Sequence, residues 1–232
     1  MRYHIYLIAN NLTYEKFYQR HISNPLIESI SQVKPVYLED CVSNHRLLPK
    51  LKTRYNTLIK TRLRKLGCIY AHKNALQKIV DNGHSNTLIL EEDAMMIRDL
   101  PDPPQYSAFL GGWITPYHIT KAGKIDPDIS QPYEGLNRID YDSCKMLMAH
   151  AYYLKNSNEA YAILCTLLSK DPIKAYDHHL SDNQYIKNYY YPPIFVQGRH
   201  KSSIDLKPNQ NHIRSIDYGI HYASKKRQNV RL

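Results

Sequence analysis

The stretch Thr87-Leu88-Ile89-Leu90-Glu91-Glu92-Asp93 places four residues of strand character directly before three consecutive carboxylates. The apolar run is typical of a buried strand of the kind found in parallel sheets. Because a buried carboxylate without a partner is costly, the strand is predicted to end where the acids begin. Ligands bind at that edge of open α/β sheets, and clustered carboxylates suit a hard divalent cation that can hold a diphosphate. An acidic turn that caps the next segment is the competing interpretation.

Length and charge bound the class of protein. The 232 residues fit one domain or two small ones, and the net charge of +10 favours anionic partners such as phosphates, nucleotides or nucleic acid. A basic surface that only aids solubility explains the charge equally well. The four cysteines have no metal-ligand spacing and indicate a reducing compartment. Without a signal-peptide pattern or an apolar run of membrane-spanning length, the expected location is the cytoplasm, with peripheral membrane association left open.

The order of predicted elements indicates an α/β fold. A first strand is predicted over residues 3–9, Thr13 is the predicted N-cap of a helix beginning near Tyr14, and a second strand is predicted over residues 32–38. A strand, a helix and a strand in this order predict a right-handed βαβ unit. The clearest helical period covers residues 67–82, and further strands are predicted over 106–110, 146–154 and 189–197, with a helix over 158–169.

Other segments are candidates for ligand contact. Gly111-Gly112 permits close backbone approach to a ligand. The basic run over residues 60–65 is either a phosphate contact beside the acids or a solvated helix face. Residues 114–145 lack a clear period and are interpreted as a functional loop that could meet a second substrate. Asp177 is a lone carboxylate that opens a short helix, whereas His178 and His179 point about 100° apart and cannot easily share one ion.

Seven segments follow one another between residues 3 and 204: Leu7-Ile8-Ala9-Asn10, Lys65-Leu66-Gly67-Cys68-Ile69-Tyr70-Ala71-His72, Leu90-Glu91-Glu92-Asp93, Leu110-Gly111-Gly112-Trp113, Ala149-His150-Ala151-Tyr152, Pro172-Ile173-Lys174-Ala175-Tyr176-Asp177 and Tyr191-Pro192-Pro193-Ile194-Phe195-Val196-Gln197. Together they resemble the motifs of glycosyltransferase family 25, which includes lipooligosaccharide and collagen β-galactosyltransferases. Three departures stand out. Ala9 occupies the place of the family's Asn, the second segment lacks the family's Glu and has Ala71 for Ser, and Glu92 replaces an Asp.

This resemblance implies a fold, an activity and a set of ligands. The fold would be an α/β, GT-A-type, Rossmann-like single domain with a mixed central sheet over residues 1–204, followed by a basic C-terminal extension over 205–232. The activity would be inverting transfer of galactose or glucose from a UDP-sugar, with Mn²⁺ or another divalent cation. The acceptor would be a hydroxyl on a glycan, a lipid-linked saccharide or a hydroxylysine-type side chain.

Residue roles follow from the place of each side chain in these segments. Successive side chains of a strand alternate, so Glu91 and Asp93 are predicted to share a face and bind the metal, with His200 as a third ligand. Asp177 is the candidate base that takes the acceptor's proton. The predicted donor-binding residues are Ala9, Asn10, Arg62 (or Arg64), His72, Glu92 and Gly112. A lone helical histidine such as His72 is more often a packed side chain than a ligand contact.

Three other classes of protein remain in competition. A basic nucleic-acid-binding protein accounts for the charge, but no nucleic-acid motif is present and the acids would repel phosphate without a metal. A metal-dependent nuclease or phosphatase could use the same carboxylates. A degenerate transferase fold retained for binding would keep the segments without the chemistry.

Overall fold

The structure is a computed structural model that describes residues 1–37, 53–116, 133–142, 144–147, 149–169 and 175–197, with the side chains of 53–60, 113–116, 168 and 169 left out. The predicted metal ligand His200, the C-terminal extension and most of the 114–145 loop lie outside the described residues.

The described residues form strands that alternate with helices. The strands are β1 (Tyr3–Ile8), β2 (Ile27–Val33), β3 (Thr87–Glu91), β4 (Ala94–Met96), β5 (Ala108–Phe109), β6 (Trp113–Pro116), β7 (Gly135–Arg138), β8 (Cys144–Leu147), β9 (Ala151–Leu154), β10 (Asn188–Tyr191) and β11 (Phe195–Gln197). The helices are α1 (Asn11–His21), α2 (Thr53–Asn82), α3 (Ser157–Ser169) and α4 (Tyr176–Asp182). No helix of the described ranges is both long enough and apolar enough to cross a membrane.

Seven strands form one central sheet in the order β2-β1-β3-β9-β5-β10-β7. Strand β1 pairs in parallel with both β2 and β3, and β5 pairs in parallel with β10. Strand β9 is antiparallel to β3 and β5, and β7 is antiparallel to β10. The expected α/β fold class, Rossmann-like with a mixed central sheet, is therefore confirmed.

Both faces of the sheet are covered, which explains the apolar strand sequences. Along β1, Tyr6 and Ile8 belong to a core layer shared with α2 and α3, whereas Ile5 and Leu7 belong to a second layer that α1 helps to cover. Successive side chains of a strand point to opposite faces, so a strand buried on both faces reads as a continuous apolar run. Residues 87–90 of β3 are fully buried for the same reason.

Several predicted bounds are wrong for local reasons. Asn10, not Thr13, caps α1, because its side-chain oxygen accepts the Thr13 backbone N–H at 3.0 Å. The second strand lies over Ile27–Val33 and ends before Pro35, which lacks a donor for the sheet. Helix α2 begins at Thr53, so the basic run over residues 60–65 is helical. The segment predicted as one strand over 146–154 is two strands in different sheets, β8 and β9.

Several of the predicted motifs end at the same edge of the central sheet. Strands β1, β3, β5 and β10 run in one direction, so their carboxyl ends share an edge with the start of the antiparallel β9. The strand order changes direction between β1 and β3, where Ile8 pairs with Glu91. Such a switch point is where open α/β sheets bind ligands.

Candidate active site

The three consecutive acids at the end of β3 point to three different sets of partners. Glu91 is the last residue of β3, and Glu92 and Asp93 form the turn into β4. The predicted strand alternation of these acids does not extend beyond Glu91, because the chain leaves the strand and turns there. The turn spreads the carboxylates across the carboxyl edge and places Asp93 beside β11, the strand paired with β4.

Asn10 and Glu92 meet across the switch point between β1 and β3. The Asn10 side-chain amide donates to Glu92 Oε2 at 3.1 Å while its oxygen caps α1. Ala9 is fully buried beside them, and its carbonyl accepts the Gln32 side-chain amide at 3.0 Å. Asn10 and Glu92, both predicted to bind the donor, are thus in contact, and the Ala9 side chain is part of the core.

Glu91 is held by two side chains of helix α2. Its Oε1 accepts the His72 Nε2–H at 3.0 Å and the Cys68 thiol at 3.5 Å. Burial raises the pKa of Glu91, but the hydrogen bond and positive charge of His72, with a further contribution from His150, outweigh burial and hold that pKa below its usual range. Glu91 therefore stays a carboxylate, although its side chain is only 29% exposed.

His72 lies beneath Glu91 rather than on an open surface. It is buried, its ring stacks on the Tyr176 ring with centroids 4.0 Å apart, and its Nδ1 lies 3.1 Å from the Tyr152 hydroxyl. The Tyr152 and Tyr176 hydroxyls are 2.8 Å apart, so a line of hydrogen bonds runs from the core to Glu91. This arrangement supports a positioning role for the predicted donor-binding His72.

Asp93 carries the clearest sign of a missing partner. Its Oδ2 accepts the Gln197 Nε2–H at 2.7 Å, yet the buried atoms Asp93 Oδ1 and Gln197 Oε1 have no hydrogen-bond partner among the described residues. Burial, with the nearby negative charge of Glu91, raises the pKa of Asp93 to about 7. Orphaned carboxylate and amide oxygens are hard ligands that Mn²⁺ and Mg²⁺ accept, so these residues fit the implied divalent cation.

Asp177 reaches the same neighbourhood from helix α4. Burial raises the pKa of the Cys68 thiol, and the charges of Glu91, Asp177 and Asp93 raise it further. All three carboxylates are therefore close enough to Cys68 for their charge to act on its thiol. Asp177 Oδ1 accepts the His178 backbone N–H at 2.8 Å, which orients the carboxylate at the start of the helix.

Gly111, the first glycine of the pair after β5, packs so closely against His150 that a side chain would not fit there. A methyl group on Gly111 would lie 2.5 Å from His150 Nε2 and 2.7 Å from the Phe195 carbonyl oxygen, so no larger residue fits. Gly112 has a φ of 141°, a conformation that side chains rarely adopt. Gly111 thus packs against His150, the histidine that helps keep Glu91 ionised.

Arg62 stands apart from the carboxylates. It is exposed on α2, six residues before Cys68, which corresponds to about 9 Å along the helix. No hydrogen bond or ion pair joins it to the three acids within the described part of the chain. Its predicted phosphate contact therefore stays a prediction, as does that of its half-buried neighbour Arg64.

The sequence analysis assigned no role to four residues of this site: Cys68, His150, Tyr152 and Gln197. Cys68 lies four residues before the predicted His72, a spacing that places both on one helical face, so a signal for Cys68 was available. His150 and Gln197 stood inside the quoted segments without an assigned role. Tyr152 could not have been assigned, because its contact with His72 joins residues 80 positions apart.

Comparisons with known proteins leave the family open. No family model matches the chain, and no curated protein matches it. The resemblance to glycosyltransferase family 25 therefore stays a prediction. A solved structure, described as UTP-bound UGPase from Acinetobacter baumannii, aligns over 100% of this chain and 99% of its own, with 10% identity and a TM-score of 0.44. A likeness this distant carries no inference about function.

Proposed function

We propose that the chain is a metal-dependent inverting glycosyltransferase that moves galactose or glucose from a UDP-sugar to a hydroxyl acceptor. The observation that carries the proposal is Asp93 Oδ1, a buried oxygen that has no hydrogen-bond partner among the described residues, in a carboxylate on which the negative charge of Glu91 also acts. A protein that only needed a stable turn would pair such an oxygen or replace the residue. The buried acid therefore supports a ligand-binding role.

Asp93, Glu91 and the side-chain oxygen of Gln197 would hold the divalent cation, together with the predicted ligand His200. When bound, this cation would neutralise charge on a departing diphosphate. Glu91 is kept ionised by His72, so it would contribute its negative charge at neutral pH. The Asn10–Glu92 pair at the switch point would position the nucleotide, and Gly112 would let the backbone approach it.

Asp177 would take the proton from the acceptor hydroxyl. A carboxylate at the start of a helix is favoured by the helix dipole and by the hydrogen bond that one of its oxygens accepts from the His178 N–H, which orients the group. The acceptor class stays as proposed from the family resemblance: a glycan, a lipid-linked saccharide or a hydroxylysine-type side chain. The transferase domain would span residues 1–204 and the basic extension residues 205–232.

A second candidate function is a degenerate transferase fold that binds a sugar nucleotide without turning it over. The observation that favours it is the engagement of Glu91 by both His72 and Cys68, which occupies one oxygen of a predicted metal ligand. A nucleic-acid-binding function has only the net charge in its favour, and acids at the site oppose it.

UDP release from a panel of UDP-sugars, with and without Mn²⁺, tests the proposal. Slow hydrolysis of one donor that requires Mn²⁺ would support the transferase and name its sugar. Asp93→Asn should abolish this release, whereas Asp99→Asn, which changes an exposed acid on the following segment, should leave it unchanged. Mn²⁺-dependent UDP binding without release would favour the binding protein. Neither binding nor release at millimolar metal would overturn both candidates.

A further inference from the structure

We propose that Cys68, His72 and Glu91 form a second cation site, which takes a thiophilic cation of the Zn²⁺ class and overlaps the proposed hard-cation site at Glu91. One ligand atom from each residue lies within 4.8 Å of the other two, and this is the one such group of three found in the described part of the chain. Sulfur, imidazole nitrogen and carboxylate oxygen together are typical of Zn²⁺ ligands, whereas Mn²⁺ prefers oxygen. The inference goes beyond the proposed transferase, because metal binding here can be measured without any sugar nucleotide.

The backbone already places the three ligands. Cys68 and His72 are four residues apart on α2, so both side chains lie on one face of the helix. Glu91 ends β3, directly opposite that face. Tetrahedral Zn²⁺ holds neighbouring ligand atoms about 3.4 Å apart, from bond lengths near 2.1 Å. The thiol and the imidazole lie 3.5 and 3.0 Å from Glu91 Oε1 and within 4.8 Å of each other, so shifts on the order of 1 Å separate the present geometry from coordination.

The residues behind His72 form the support that a metal-binding histidine needs. A ligating imidazole usually donates its other ring N–H to a partner that fixes its orientation. Here the Tyr152 hydroxyl lies 3.1 Å from His72 Nδ1 and can accept that proton, since Tyr152 can in turn donate to the Tyr176 hydroxyl at 2.8 Å. Stacking on Tyr176 holds the ring plane. The imidazole is therefore fixed with Nε2 directed at the cluster.

Access and proton balance are both satisfied. His72 is buried, but the Glu91 side chain is 29% exposed and gives the cation a route from solvent. Binding releases the Cys68 thiol proton and the His72 Nε2 proton to solvent, while His72 carries its remaining proton on Nδ1, so no oxidant or reductant is required. Glu91 is shared with the proposed hard-cation site, so a thiophilic cation here would withdraw Glu91 from that site and act as an inhibitor.

Titration of the metal-free full-length protein with Co²⁺ tests the site. A thiolate ligand gives Co²⁺ an intense charge-transfer absorption in the near ultraviolet, and Zn²⁺ should displace it. Cys68→Ser should weaken binding by more than about 100-fold and remove the absorption. Cys165→Ser, at an exposed free cysteine, should bind as the wild type does. Tyr152→Phe should weaken binding about 10-fold and keep the absorption, because it removes only the outer partner of His72.

Three results would overturn the site: no charge-transfer absorption in the wild type, absorption that persists in Cys68→Ser, or absorption that His72→Gln leaves at full strength. The far-ultraviolet circular dichroism of each variant establishes that it is folded. The test is independent of the proposed function, since an inactive protein could still bind Co²⁺ through Cys68, and an active transferase could fail to bind it.

Discussion

At the edge of the sheet where β3 begins and β9 ends, the buried polar groups form hydrogen bonds with one another. The Tyr153 hydroxyl donates to Asn86 Oδ1 at 2.7 Å, and the Lys155 backbone N–H donates to both Ser107 Oγ and Glu159 Oε2. No buried side-chain polar atom of the described residues at this edge lacks a hydrogen-bond partner. We call the cluster of Asn86, Ser107, Tyr153, Lys155 and Glu159 the stabilising edge. Its hydrogen bonds connect β3, β5 and β9.

The carboxyl edge of the same strands is built differently. Asp93 Oδ1 and Gln197 Oε1 are buried without partners among the described residues, and the negative charge of Glu91 acts on Asp93. Each orphaned buried acceptor costs stability on the order of 1–3 kcal/mol. Among the described residues, the unsatisfied buried side-chain atoms lie at the edge where α/β folds bind ligands, which is the pattern expected when stability is exchanged for a binding site.

The largest effect on the chemical step with donor binding intact is expected at Asp177. Asp177→Asn should reduce UDP release by 10²–10⁴-fold, the usual contribution of a general base, while Mn²⁺-dependent UDP binding stays at the wild-type level. Asp182→Asn is the matched control, since it changes an acid of the same helix that forms a partly exposed ion pair with Lys145. Turnover measured beside calorimetric UDP binding separates the two. Equal losses in both variants would assign Asp177 a structural role.

The second prediction concerns the contribution of Asp93 to stability at the carboxyl edge. Asp93→Asn should raise the free energy of unfolding by about 1 kcal/mol in the absence of metal, because it removes a buried charge that Glu91 repels. Chemical denaturation at neutral pH measures the change, with Asp99→Asn as the reference. A loss of stability would mean that the Asp93 carboxylate is satisfied in the folded protein, and the contrast between the edges would fail.

At the stabilising edge, removing a polar group should lower the free energy of unfolding. Tyr153→Phe removes the hydroxyl that bonds to Asn86 and lies 3.1 Å from the Pro104 carbonyl, and it should cost about 1–2 kcal/mol of unfolding free energy. UDP release per folded molecule should not change. Tyr161→Phe, at an exposed tyrosine, should change neither quantity. A large fall in turnover for Tyr153→Phe with intact folding would show that the two edges are coupled.

The smallest effect is a pH dependence near the stabilising edge. Burial and the charge of His84, stacked 3.9 Å away, lower the pKa of His4. Glu28 opposes the shift, and Ser29 Oγ bonds the ring at 2.9 Å. The folded state therefore disfavours protonation, and its stability should fall as the pH drops below about 6.5, the unfolded value. Denaturation at pH 7 and pH 5 should show that His4→Gln reduces this loss by less than about 1 kcal/mol, since His21, whose pKa burial also lowers, contributes a loss of its own.

Local chemistry made some parts of the fold predictable. The unbroken apolar run before Glu91 predicted a buried strand, and the helical period ending at residue 82 predicted the end of α2, because both depend on residues close in sequence. The bounds of β2 and α2 were wrong because neighbouring elements override weak local preferences. The lone carboxylate Asp177 was correctly expected to open a short helix.

The sequence by itself determined that three acids end a buried strand at the carboxyl edge of an α/β sheet, since burial of an apolar run and the cost of burying charge are local matters. Only the tertiary structure decided which partner each acid takes. A turn at Glu92 sends Glu91 to His72, Glu92 to Asn10 and Asp93 to Gln197. These partners lie 19, 82 and 104 residues away, and contacts at such separations are set by strand order and helix packing rather than by neighbouring residues.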